Sequence, residues 1–333
     1  MKITIDNFVI GDTEPTFIIA EAGLNHDGDL SQAKRLIKSA ASSGADSIKF
    51  QIFKAEEISS PQSDYYDLFK SLELSDEEWI DLAEYADSNG ILFTASVFGT
   101  HSVDLFDEIE SPLYKVASGD LTYLQLLSQI ARKKKPIVLS TGMSSICEIE
   151  EALNVVYNEG NQNIALMHCV SNYPTNYEDT NLNFIKTLKK LFKVPVGFSD
   201  HTIGTLIPAL AVVMGADLVE KHFTLDQNLP GPDHQLSLEP GEFKSMVKNI
   251  RLAETSTGSQ MKTITEDEKN LRSLARRSIT AKKYIKKGEI LTEDKIKYLR
   301  PGTGIEPKFG DLIIGKTVKN DIDKDQQLQW DDL

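Results

Sequence analysis

The chain has 333 residues, 40 % of them apolar and 26 % charged, with 36 Lys+Arg against 50 Asp+Glu for a net charge of −14. This is the composition of a globular chain of about two domains, and its acidic balance argues against nucleic acid or an anionic membrane as partner. The longest apolar stretches, such as 206–216, fall short of a bilayer span, and two cysteines, Cys147 and Cys169, make neither a disulfide framework nor a zinc ribbon.

The opening MKITIDNF lacks the basic and apolar regions of a signal peptide, so the expected location is the cytoplasm. Eight short apolar or β-branched runs then follow: 16–23, 47–53, 91–97, 113–118, 136–142, 164–170, 195–200 and 218–223. Amphipathic stretches lie after them, at 31–43, 76–89, 121–133, 145–159, 203–214 and 241–255, several behind capping residues (Asp29, Ser75, Ser144, Thr202). Alternating strands and helices imply parallel pairing through right-handed crossovers, and eight units in about 250 residues match a (β/α)8 TIM barrel. An open doubly wound sheet would usually carry GxGxxG after its first strand, and that motif is absent. The segment 54–74 is long for a βα loop, as lids and substrate-contacting loops often are. Polar residues from 256 read as a linker, and 275–333, with its KKGE and RPGTG turns, reads as a small β-rich domain. The predicted domains are thus 1–255, a linker over 256–274, and 275–333. The tail domain carries 13 Lys+Arg against 10 Asp+Glu, so the rest of the chain holds −17.

Catalytic groups in such barrels sit at the C-terminal ends of the strands. All eight runs end in polar residues, among them Glu21, Lys49 and Gln51, Ser96, Lys115 and Ser118, Ser140, Ser171 and Tyr173, Ser199, His201 and His222. One serine after a strand is more often a helix cap than a ligand contact. Two lysines inside apolar strands are harder to dismiss, because burial without an anion costs several kcal/mol. With hydroxyls nearby, they point to a phosphorylated, carboxylated small molecule. His201 and His222 end adjacent strands, about 4.8 Å apart, and can converge on one divalent ion with positions left for water and substrate. His26, His101, His168 and His234 have no comparable partner in the pattern. Asp233, in the stiff LPGPDHQLS loop, is placed either to accept from sugar hydroxyls or to cap a turn.

These residues sit in strings that resemble the sialic acid (nonulosonic acid) synthases: IIAEAGLNHDGD (18–29), ADSIKFQ (45–51), YKVASGD (114–120), LSTGM (139–143), HCVSNYPT (168–175), GFSDHT (197–202), EKHFTLD (220–226) and GPDH (231–234). The tail, with LRPGTGI (299–305), is similar to the antifreeze-like (SAF) domain that ends those enzymes, so the resemblance runs over nearly the whole chain. It implies a TIM barrel followed by an SAF domain in a domain-swapped homodimer, which condenses phosphoenolpyruvate (PEP) with an N-acylated hexose and needs Mn2+ or another divalent ion such as Mg2+ or Co2+. By the same resemblance Lys49, Ser96, Lys115, Ser118, Ser140, Ser171 and Ser199 hold PEP, and His201 and His222 hold the metal. Glu21, Tyr173, Asp233 and the partner's Arg300 contact the sugar, with Gln51 and Asp120 as neighbours. Glu21, Lys49 and Lys115 are the expected catalytic groups.

The acceptor is expected to be N-acetylmannosamine, giving N-acetylneuraminate; the alternative is a 2,4-diacetamido-trideoxy hexose, giving legionaminate or, less favoured, pseudaminate. Three rival readings share these residues: a synthase of 3-deoxy sugar acid phosphates, a Schiff-base aldolase using Lys49, Lys115 or Lys221, and a non-catalytic binder acting through the tail.

Overall fold

A computed structural model describes residues 2–333, which form two compact units, one ending at Gly258 and one over Ser259–Leu333. The first unit opens with a hairpin, β1 (Lys2–Ile5) and β2 (Phe8–Gly11), paired antiparallel through a turn at Asp6–Asn7. Eight strands follow: β3 (Phe17–Gly23), β4 (Ser47–Ile52), β5 (Leu92–Val97), β6 (Tyr114–Val116), β7 (Ile137–Ser140), β8 (Ile164–Cys169), β9 (Val196–Asp200) and β10 (Leu218–His222). They pair in parallel in chain order, and β10 returns to β3, so the sheet closes into a barrel. Each of the eight lies within a predicted run.

Helices alternate with the strands: α1 (Leu30–Ser43), α2 (Ala55–Ile58), α3 (Tyr66–Ser71), α4 (Asp76–Ser88), α5 (Thr100–Glu108), α6 (Leu124–Arg132), α7 (Ile146–Asn158), α8 (Asn183–Phe192), α9 (Leu206–Val213) and α10 (Pro240–Thr257). Asp29 and Ser75 cap α1 and α4 as expected. The cap of α7 is Ser145 rather than Ser144, in a reciprocal capping box with Glu148. Thr202 caps nothing, because α9 starts four residues later and Thr202 bonds Asp200 instead. The long segment after β4 folds into α2 and α3, where Phe53, Phe69, Phe98, Leu24, Ile58 and Leu72 make a small apolar cluster.

Strand alternation sorts the side chains. One set, including Ile18, Ala20, Ile48, Phe50, Phe93 and Ala95, packs outward against the helices. The other set fills the barrel in layers. Phe17, Ile19, Leu113, Val138, Ala165, Met167 and Leu218 form an apolar floor, against which the hairpin places Ile3, Ile5 and Ile10. The hairpin therefore plugs the N-terminal end. The next inward positions toward the C-terminal end are polar.

In the second unit α11 (Glu266–Ala275) precedes an antiparallel pair, β11 (Ser278–Ala281) and β12 (Ile296–Leu299), and a short α12 (Gly310–Ile313). Its own core joins Ile279, Ile285, Leu291, Ile305, Ile313, Val318, Ile322 and Leu328. The reading of 256–274 as linker needs correction. Helix α10 runs two residues into it, and α11 fills its second half, started by a capping box between Thr265 and Glu268. That helix buries none of its residues, which is why its composition resembled a linker.

Candidate active site at the C-terminal end of the barrel

Alternation along β3, β4, β6 and β10 brings Glu21, Lys49, Lys115 and Glu220 to one level inside the barrel, each at most 5 % exposed. Lys49 Nζ lies 2.9 Å from Glu21 Oε1 and 3.8 Å from Glu220 Oε2, and Lys115 Nζ lies 3.7 Å from the same Glu220 oxygen. Lys49 donates to Ser96 at 3.1 Å, and Lys115 donates to Ser140 at 2.7 Å. The anions that buried lysines require are thus supplied by the chain itself. Lysine burial alone does not demand a ligand here, and Glu220, a polar strand-end residue to which the sequence assigned no role, is the centre of the charge cluster. Its position two residues before His222 in a strand was the signal.

Burial opposes charge on every one of these groups, and the neighbours decide the outcome. Burial pushes Glu21 up to about 7, and Lys49 only partly offsets it. For Glu220 burial is outweighed by Lys115 and Lys49, which hold the carboxyl well below its ordinary range. Burial lowers Lys115, whereas Glu21 and Glu220 keep Lys49 above its ordinary value despite burial.

These side chains open into a cavity of about 440 Å³ that is also lined by Leu24, Gln51, Phe69, Phe98, Ser118, Cys169, Ser171, Tyr173, Ser199, His201, His222 and Asp233. Size does not single it out, since a cleft of about 550 Å³ lies at the other end of the strands. What sets it apart is the convergence of titratable groups. The wall has two sides. From β6 to β9 come small polar groups packed around Gly142, where a Cβ would stand 2.3 Å from Ser171 Oγ, 2.8 Å from Ser118 Oγ and 2.9 Å from Cys169 Sγ. From β3, β4 and the loop after β10 come Glu21, Gln51 and Asp233, gathered around Gly23 (φ +52°), which only glycine occupies without strain. Leu24, Phe69 and Phe98 flank this second side.

The imidazole rings of His201 and His222 lie 5.5 Å apart, and Tyr173 packs 4.1 Å from the His201 ring. His201 Nδ1 meets Val170 O at 2.8 Å, which makes it the donor nitrogen and leaves Nε2 with a free lone pair. His222 Nδ1 is buried without a partner, 3.8 Å from Asp233. Burial lowers both imidazoles, so both are neutral, the form that ligates metal. Among the described residues no three His, Cys, Asp or Glu side chains are grouped as a complete metal site. Two neutral imidazoles, one with an unpartnered Nδ1 and the other with its Nε2 lone pair free, fit an ion that completes its shell with water and substrate.

Thirteen of the fifteen expected site residues line this cavity. Asp120 does not. The 3-10 turn Ser118–Asp120 carries Ser118 to the wall and leaves Asp120 behind it, half-buried, where burial raises its carboxyl to about 6 against the pull of Lys115. Arg300 belongs to the second unit, exposed just after β12. The four unassigned histidines all have partners outside the cavity: Gly28 N–H for His26, Asp76 for His101, Thr180 O for His168, and for His234 Asp27 at 3.0 Å and Thr224 at 2.6 Å, which ties the Asp233 loop to the loop after β3.

Residues 36–262 match the NeuB family model, and residues 276–333 match the SAF domain. The chain belongs to the NeuB family. An uncharacterized protein of Methanocaldococcus jannaschii is 52 % identical to it over 100 % of this chain and 98 % of that one. N,N'-diacetyllegionaminic acid synthase of Legionella pneumophila is 41 % identical over 97 % of this chain and 96 % of its own. The solved N-acetylneuraminic acid synthetase of Leptospira borgpetersenii superposes with a TM-score of 0.78 at 38 % identity, covering 81 % of this NeuB-family chain and 95 % of that structure. No helix among the described residues is long and apolar enough to cross a membrane.

Proposed function

We propose that the chain is a nonulosonic acid synthase that condenses PEP with an N-acylated hexose and releases inorganic phosphate by C–O cleavage. The observation that carries this reading is the convergence in one cavity of two buried lysines paired with Glu21 and Glu220, small hydroxyls, an amide and two imidazoles. Lys49, Lys115 and the serines Ser96, Ser118, Ser140, Ser171 and Ser199 hold the carboxylate and phosphate of PEP. Glu21, Gln51, Tyr173 and Asp233 hold the sugar, and Arg300 of a partner subunit closes the site. His201 and His222 hold a divalent ion, Mn2+ in the first instance, which supplies Lewis acidity to the aldehyde oxygen.

C3 of PEP attacks the aldehyde carbon, water adds at C2, and the tetrahedral intermediate expels phosphate with the bridging oxygen. The nascent alkoxide takes one proton, the attacking water loses one, and the remaining C2 hydroxyl proton goes to the departing phosphate as the carbonyl forms. Glu21, poised by burial near neutrality, gives the first and recovers the second. Lys49 and Lys115 offset the negative charge of the phosphate as it leaves.

For the acceptor, the apolar side chains Leu24, Phe69 and Phe98 beside Gln51 and Asp233 favour a sugar with apolar substituents over a polyol. That supports the 2,4-diacetamido-trideoxy hexose, the legionaminate reading, over N-acetylmannosamine. An apolar pocket discriminates such differences by about 10- to 100-fold. Phosphate release with PEP, Mn2+ and each sugar in parallel tests both levels. A higher kcat/KM with the diacetamido sugar is expected; preference for N-acetylmannosamine overturns the acceptor, and no release with any acylated hexose overturns the synthase.

A further inference from the structure

Directly behind the two imidazoles lies an ion pair that takes no part in the cavity. Asp200 and Lys221 are opposite each other across β9 and β10, each on the face turned away from the barrel axis, and each stands immediately before a histidine. Both are at most 1 % exposed. Lys221 Nζ lies 2.7 Å from Asp200 Oδ2 and also donates to the carbonyl of Thr202. Asp200 accepts from the backbone N–H of Thr202 at 3.0 Å and from its hydroxyl at 3.1 Å. The network thus clamps the residues on both sides of His201 and joins them to the residue before His222.

A buried pair of this kind is poorly explained by stability, because apolar replacements of similar volume are often neutral or stabilising. Its geometry does explain it. Two imidazoles whose rings lie 5.5 Å apart come from different strands, and their spacing depends on the register of β9 on β10 and on the turn at 200–202. We propose that Asp200, Lys221 and Thr202 are positioning residues that fix the spacing of His201 and His222 for a shared divalent cation. This rests on the reading of those histidines as ligands. Partners that orient metal ligands from behind typically change affinity by about 10- to 100-fold when removed.

The test titrates Mn2+ alone into the full chain and follows the loss of the free-ion paramagnetic resonance signal, with thermal unfolding measured in parallel. Wild type is expected to bind one ion per chain, and His222→Ala to abolish that binding. Should wild type bind none, or should His222→Ala bind as wild type does, the ligand reading itself falls. The double variant Asp200→Leu/Lys221→Met removes the pair without stranding a charge. It leaves the buried N–H, hydroxyl and carbonyl of Thr202 short of partners, so it is expected to melt at a lower temperature while binding Mn2+ about 10- to 100-fold more weakly. Wild-type affinity in the folded double variant overturns the positioning role. If the double variant fails to fold, Thr202→Val decides: it keeps the ion pair and the volume but loses the hydroxyl. A several-fold weaker affinity at unchanged melting temperature supports the proposal, and unchanged affinity overturns it.

Discussion

Glu21 and Glu220 are both fully buried, yet one is driven toward its neutral form and the other is held ionised. The difference lies in the number of ammonium groups each faces, since Glu220 sits between two and Glu21 contacts one. For Glu21 the folded-state value is raised to about 7, so its contribution to stability is complete below an ordinary glutamate's 4.5 and is lost as pH rises through 7. Glu21→Gln, neutral throughout, should therefore gain in melting temperature relative to wild type between pH 4.5 and 8; a difference independent of pH would contradict this. Glu220 is ion-paired with Lys115, and Lys115→Met should cost about 3–5 kcal/mol in denaturant unfolding by leaving a buried carboxylate short of a partner. Adding Glu220→Gln should recover most of that loss, whereas additive losses would show that the two groups are not paired. Alternation puts Lys49 and Gln51 on one side of their strand, and lysines inside apolar runs made Lys49 and Lys115 legible in the sequence. Glu220 was not, because a glutamate beside Lys221 and His222 looks like any charged strand end until closure of the barrel shows which neighbours turn inward.

At the scale of elements, strands and loops differed in how far the sequence exposed them. Parallel barrel strands are buried on both faces, so each appeared as a short apolar run with a polar end. The hairpin of β1 and β2 escaped notice because four-residue strands carry little pattern, and its value lies in a partner, the barrel floor, that sequence does not display. Helix α11 escaped for the opposite reason, since a helix with no buried residues has no apolar stripe. The loop after β7 makes a sharper test. At Gly142 an alanine Cβ would press on Ser171, Ser118 and Cys169 at 2.3–2.9 Å, all side-chain tips that can turn away. Gly142→Ala is thus expected to fold with little change in melting temperature but to raise KM for PEP by at least about 10-fold, because turning those tips degrades hydrogen bonds to charged ligand oxygens worth about 1.5–3 kcal/mol each. An unchanged KM would remove that wall from the phosphate site.

At the scale of the whole molecule, the chain pairs an acidic body with a mildly basic tail, and the tail carries Arg300. If Arg300 completes a partner's cavity in a two-fold dimer, mixing Arg300→Ala with His222→Ala subunits should restore activity that neither has alone. Random exchange gives half heterodimers with one intact site of two, so about a quarter of the wild-type rate is expected. No recovery in verified heterodimers would contradict supply of Arg300 in trans.

The chemistry assigned to the cavity is tested most directly by the fate of one oxygen. PEP labelled with oxygen-18 at the bridge between C2 and phosphorus, incubated with the enzyme, Mn2+ and the diacetamido hexose, should release inorganic phosphate that carries the label, with none in the nine-carbon product. Label retained at C2 of the product, or PEP left unconsumed, would contradict it.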